Sequence, residues 1–197
     1  MDANLKAAII IRPVCEGARM SVWGAVIMSF FGCVFAALTM YWEWHVEGVA
    51  LLLPFLIFVI VGLLAAFIIR LPGDRNVLSE KAEQTIMWSS IAEGVGLLIA
   101  STIIANLHRP EWQLPVMALV VGLHFIPIAF AASYLPFYAL GSSLIVSAVV
   151  GFIAAAPTGG QIAGIVAATS LWIAAFLGLA RDWRSKKASA PNIRSVT

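Results

Sequence analysis

Six stretches of roughly twenty apolar residues, the length that crosses a bilayer, follow one another along this chain with only short breaks between them. They lie at Met20–Tyr41, Val49–Ile69, Thr85–Leu107, Leu114–Ser133, Leu135–Ala155 and Gln161–Ala180. Hydrocarbon offers the backbone no hydrogen-bond partner, so a run of this kind can cross it only as a helix that satisfies its own amides, rising 1.5 Å per residue. A chain of 197 residues that is 61% hydrophobic and 11% charged has too little polar surface to clothe a water-soluble fold. The expected architecture is therefore all-α: a six-transmembrane-helix bundle over residues 20–180, a preceding segment 1–19, and a basic tail 181–197 expected to be disordered.

The Lys and Arg residues set the expected orientation, because short positively charged segments stay on the cytoplasmic side. Eleven of the twelve fall before the first run, between the second and third, or after the sixth; Arg109 alone falls on the other side. Six crossings with both termini cytoplasmic satisfy that division, and five would split it. The break between the fourth and fifth runs, Ala132-Ser133-Tyr134-Leu135-Pro136, carries no charge. It is read as a tight turn because Pro136 disfavours helical geometry at Leu135. The short apolar patch before Arg12-Pro13 is too brief for a cleavable signal, which leaves the first span as an uncleaved anchor. Residues of one charge sign are scattered among short loops, so no basic face exists for nucleic acid. Cys15 and Cys33 have no metal-type spacing and are read as reduced and structural. Small residues at four-residue spacing mark expected helix contacts: Ala92, Gly96 and Ala100; Ser143, Ser147 and Gly151; Gly160, Gly164 and Ala168. Trp172, deep in the sixth run, is expected to give its indole N–H to a neighbouring helix.

Chemistry concentrates in the hairpin from Gln84 to Ser133, where two apolar runs each carry one ionisable residue, Glu93 and His124. Such a group at membrane depth costs roughly 2.5–3.5 kcal/mol, which points to a task or to a neutralising partner. Measured from a shared loop, Glu93 comes about 21 Å and His124 roughly 15 Å below the outer surface. Side chains lean toward the N-terminus of their own helix, which on this register would carry the two apart and leave a water or hydroxyl to bridge them. Ser89 and Ser90 lie one turn from Glu93 on the cytoplasmic side. The functional expectation is a proton or cation relay in which Glu93 receives from the cytoplasm and His124 carries the path outward, imidazole being the group that titrates near neutrality in water. Structural glue between helices is the alternative. Pro127 should kink the fourth helix by removing the amide that would pair with the Leu123 carbonyl. Tyr134 and Tyr138 could line an inner mouth.

Glu43, His45, Glu47, His108 and Glu111 fall in two loops on the outer side, but no zinc-type spacing joins them, so no metal and no cofactor is expected. No protease or phosphatase motif suggests an enzyme. The run Leu114-Pro115 through Gly122-Leu123-His124-Phe125-Ile126-Pro127-Ile128-Ala129 resembles a pattern in small bacterial multi-pass membrane proteins to which no activity is attached. The resemblance implies a bacterial inner membrane and places His124 and Pro127 on one helix. The reading as a whole is a small transporter, permease or channel, proton-linked through Glu93 and His124, handling a small solute or protons, and a homo-oligomer within the lipid bilayer. The rival is a non-transporting accessory subunit.

Overall fold

The computed structural model describes residues 22–71, 80–132, 134–154 and 156–189. Expectations about the segment 1–19, Cys15, Ser133 and residues 190–197 of the tail fall outside those residues. Among the described residues six α-helices occur: α1 Val22–Trp42, α2 Phe55–Arg70, α3 Glu80–Leu107, α4 Gln113–Ala132, α5 Leu135–Ile153 and α6 Thr158–Ser189. Each is long and apolar enough, alone or with the turn leading into it, to cross a membrane. The chain is a multi-pass membrane protein by that measure. Among the described residues no strand occurs. Arg70, Arg181, Arg184, Lys186 and Lys187 gather at one end of the bundle, called here the basic end. Glu43, His108 and Arg109 lie at the opposite end.

The turn between α4 and α5 forms as the sequence requires. Tyr134 is extended (φ −117°, ψ 101°) and Pro136 occupies the first turn of α5, where its missing amide costs nothing. Tyr134 N–H bonds back to the Ala129 carbonyl at 3.2 Å, closing the end of α4. The tail departs from expectation: α6 does not stop near Ala180 but runs to Ser189, so 181–189 are helical rather than disordered. Their anchor is Lys186. Its Nζ donates to the Ile68 and Leu71 carbonyls at 2.7 and 3.1 Å, placing a cation at the C-terminus of α2 where the helix dipole is negative.

α6 forms the spine of the bundle, packing against α1, α2, α4 and α5. Its stripe Gly160, Gly164 and Ala168 is the seam with α1: a Cβ on Gly160 would collide with the Glu43 carboxylate, one on Gly164 would collide with the Thr39 hydroxyl, and the Ala168 carbonyl faces Gly32. Helices in lipid gain little from apolarity alone, so this close approach is where their attraction comes from. Gly151 of α5 meets Gly159 and Ala163 of α6 in the same way, and Ser143 and Ser170 hydroxyls meet at 2.8 Å. α4 and α5 touch backbone to backbone, since a Cβ on Gly122 or Gly141 would stand 3.0 Å from the other's carbonyl oxygen.

Trp172 meets its expectation only loosely: its Nε1 is buried without a hydrogen bond of good geometry, although the Cys33 thiol of α1 lies beside it. A Cβ on Gly32 would stand 2.7 Å from the indole, so α1 uses the ring as a packing surface. The adjacent Cys33 thiol gives its hydrogen to the Pro54 carbonyl at 3.0 Å.

α3 is the outlier. It packs chiefly on α4, and 6% of its span is buried against 44% for α4, so the hairpin holding Glu93 and His124 has one embedded limb and one peripheral limb.

Candidate functional site

The register of α3 against α4 positions the site. Gln113, the first residue of α4, donates its side-chain amide to Ser101 Oγ at 2.6 Å. α3 therefore continues about a turn and a half, from Thr102 to Leu107, past the level at which α4 begins. That overhang ends in His108, whose left-handed backbone (φ 53°) turns the chain. Arg109 N–H then bonds the Ile104 carbonyl, and His108 N–H that of Ala105.

With the overhang included, Gly96 lies against Val120 and Ser89 against His124. The α3 residue level with His124 falls between Ser89 and Ala92, and Glu93 sits just beyond it toward the opposite end. The expected order of the two groups is thus reversed. The lean of each side chain toward its own N-terminus now brings them together, since α3 starts at the basic end and α4 at the other. Instead of a bridging water, the contact is direct: His124 Nε2 and Glu93 Oε2 are 3.4 Å apart, with side chains 9% and 10% exposed.

Ser89 fixes the imidazole. Its hydroxyl donates to the His124 carbonyl at 3.1 Å, and the same oxygen lies 3.0 Å from His124 Nδ1. One hydroxyl has one proton; with that proton on the carbonyl, Ser89 Oγ accepts from Nδ1–H. Nε2 is then the atom turned to the Glu93 carboxyl. One proton across that contact, on nitrogen or on oxygen, would leave the pair neutral overall, the form a buried low-dielectric site favours.

The pair lies on a cavity of about 300 Å³ between α1, α3, α4 and α6, whose wall, among the described residues, is apolar apart from Ser90, Glu93 and His124. Phe31 and Phe125 contribute rings to it, and Phe125 stands edge-on to the imidazole with centroids 5.3 Å apart. On the basic-end side of Ser89 a more open cleft is lined by Gln84, Thr85, Trp88, Ser89, Ala92 and Pro127. Ser89 is shared between this cleft and the pair.

Of the residues singled out in the sequence, Glu93, His124 and Ser89 come together, Ser90 lines the cavity, and Pro127 borders the cleft inside an unbroken α4. Tyr134 and Tyr138 do not join them. Tyr134 borders a separate apolar groove between α5 and α6 and lies under the Arg181 guanidinium, 4.7 Å from its ring centre. Tyr138 packs against the core. Phe31 of α1 and Leu171 of α6 were missed, because an apolar residue in an apolar run carries no sign that it faces a cavity. Among the described residues no three of His, Cys, Asp and Glu cluster as a metal site.

No relative identifies the chain. No family model matches it, and neither a curated protein nor a solved structure is detectably similar to it.

Proposed function

We propose that this protein is a small proton-linked transporter or permease of the plasma membrane, with both termini cytoplasmic. The observation that carries the reading is the Glu93–His124 contact, an ionisable pair nearly sealed from the surroundings yet lining a cavity at membrane depth. Intramembrane ionisable groups facing a cavity are the usual elements of ion and proton paths. The open cleft, which carries the polar side chains of Gln84, Thr85 and Ser89 on an otherwise apolar wall, is the route from the basic end, and the path runs Ser89, His124, Glu93.

The test is flux in proteoliposomes holding a pH-sensitive dye. Wild-type protein should dissipate an imposed pH gradient, and Glu93→Gln, which keeps the shape and loses the titrating proton, should slow this at least about tenfold, as loss of a proton-transfer group does. Equal rates in the two would end the relay reading. Orientation is checked separately by membrane-impermeant thiol labelling of cysteines placed at Arg109 and at Lys187, of which only the first should label from outside.

The second reading, an accessory subunit, draws on α3. Met87, Ile91, Val95 and Leu98 are each at least half exposed along it, a face that a partner helix or second copy could cover as well as lipid. Absence of flux in the wild type, with Glu93→Gln lowering only thermal stability, would favour that role.

A further inference from the structure

The occupant that this cavity suits can be read from its wall, given the transport reading on which the inference rests. An inorganic cation needs several oxygen ligands, and the wall offers the Glu93 carboxyl and the Ser90 hydroxyl. An anion needs several N–H or O–H donors, and the wall offers the Ser90 hydroxyl and the one proton of the Glu93–His124 pair, with no Lys, Arg, Trp or Tyr among the described residues that line it. What it does offer is one carboxylate, two phenyl rings and aliphatic surface from Met28, Leu97 and Leu171. Aromatic faces beside a carboxylate attract cations whose charge is spread over carbon, quaternary ammonium ions above all. A volume of about 300 Å³ stands at the small end of ligand pockets, roughly 300–1,000 Å³, so the occupant is of single-ring size.

Charge balance then couples binding to proton release. Burial favours the empty pair in its neutral form, which holds one proton. Among the described residues Glu93 from α3 and His124 from α4 are the titratable groups facing the space; α1 presents Ile27, Met28 and Phe31, and α6 presents Leu171. A monovalent cation entering such a low-dielectric site keeps it neutral only if one proton departs: Nε2 takes the shared proton as Nδ1 gives its own to Ser89, leaving Glu93 as carboxylate and His124 as neutral imidazole with its hydrogen on Nε2. We propose that the cavity binds a small hydrophobic organic cation through Glu93, in one-for-one exchange with the proton of the Glu93–His124 pair. The proton leaves through His124 and Ser89 to the basic-end cleft, and no bond other than N–H or O–H is made or broken.

The experiment uses the full-length protein in detergent and three probes of matched shape: phenyltrimethylammonium, its neutral isostere tert-butylbenzene, and benzenesulfonate. Binding is measured calorimetrically in two buffers of different ionisation enthalpy, which counts protons released. The expected result is saturable binding of the ammonium ion alone, with about one proton released per ion, as the single shared proton requires. Leu97→Trp, which fills the cavity and leaves the pair in place, should abolish binding while the protein stays folded. Glu93→Gln should weaken it at least about tenfold, the loss of a charge-assisted contact. Equal binding of tert-butylbenzene, preference for the sulfonate, or ammonium binding without proton release would each overturn the proposal. A wild type that passes protons in liposomes but binds none of the three probes would refute this inference and leave the transport reading standing.

Discussion

At the scale of single residues, the sharpest constraints are glycines that admit a neighbouring backbone. Gly122 and Gly141 stand in mutual contact across α4 and α5, so Leu at either should cost about 1–3 kcal/mol through overpacking. Gly62 of α2 has open space where a Cβ would go, and Ala there should be neutral or gain up to about 1 kcal/mol in helix propensity. Thermal midpoints in detergent distinguish the two cases. Glu43 adds a pH effect at the opposite end. Burial raises its carboxyl above the ordinary 4.5, against a smaller opposing pull from His45. A carboxyl raised in the fold holds its proton more tightly folded than unfolded. Its stabilising contribution is thus complete below 4.5 and declines as pH rises through the interval up to its raised value. Glu43→Gln should flatten the midpoint-against-pH curve over that interval; an unchanged slope would place the effect elsewhere.

At the scale of helices, the basic end depends on one side chain reaching between two elements. Lys186 caps three carbonyls at the end of α2, those of Ile68, Ile69 and Leu71. Lys186→Met should cost about 1–2 kcal/mol, the upper range for a cation at a helix C-terminus, and speed amide exchange in the last turn of α2. Exchange accelerated equally along all of α2 would show that the contact holds the helix in place rather than capping it. The tail could not be read as helix from its composition, because Arg181-Asp182-Trp183-Arg184-Ser185-Lys186-Lys187 is polar on every face. It becomes helical where α6 is continuous with a packed spine and where one lysine finds acceptors that no local sequence reveals.

At the scale of the molecule, the bundle divides into a packed body of α1, α2, α4, α5 and α6 and a limb, α3, resting mainly on α4. Local stability follows local packing. α3 should accordingly exchange its amides faster than any other helix in detergent. Slower exchange in α3 than in α5 would mean that another surface covers it, and the accessory reading would gain. The site lies on the seam between body and limb, so motion of α3 would move Glu93 relative to His124.

The six apolar helices and most of their ends followed from the sequence alone, because hydrocarbon leaves the backbone no alternative to the helix and because Pro136 and the polar breaks mark the ends; α2 starts at Phe55 rather than Val49, α3 at Glu80 rather than Thr85, and α6 ends at Ser189 rather than Ala180. The sequence also singled out Glu93, His124 and Ser89, since charge and hydroxyls inside apolar runs are conspicuous. It could not supply their spatial order. That was decided by the six-residue overhang of α3 beyond Ser101, set by a Gln113 side chain and the packing of Gly96 on Val120. Relative sliding of two helices is a tertiary quantity, fixed by which surfaces interlock. A shift of one turn leaves every hydropathy pattern unchanged while deciding whether two ionisable groups meet or miss.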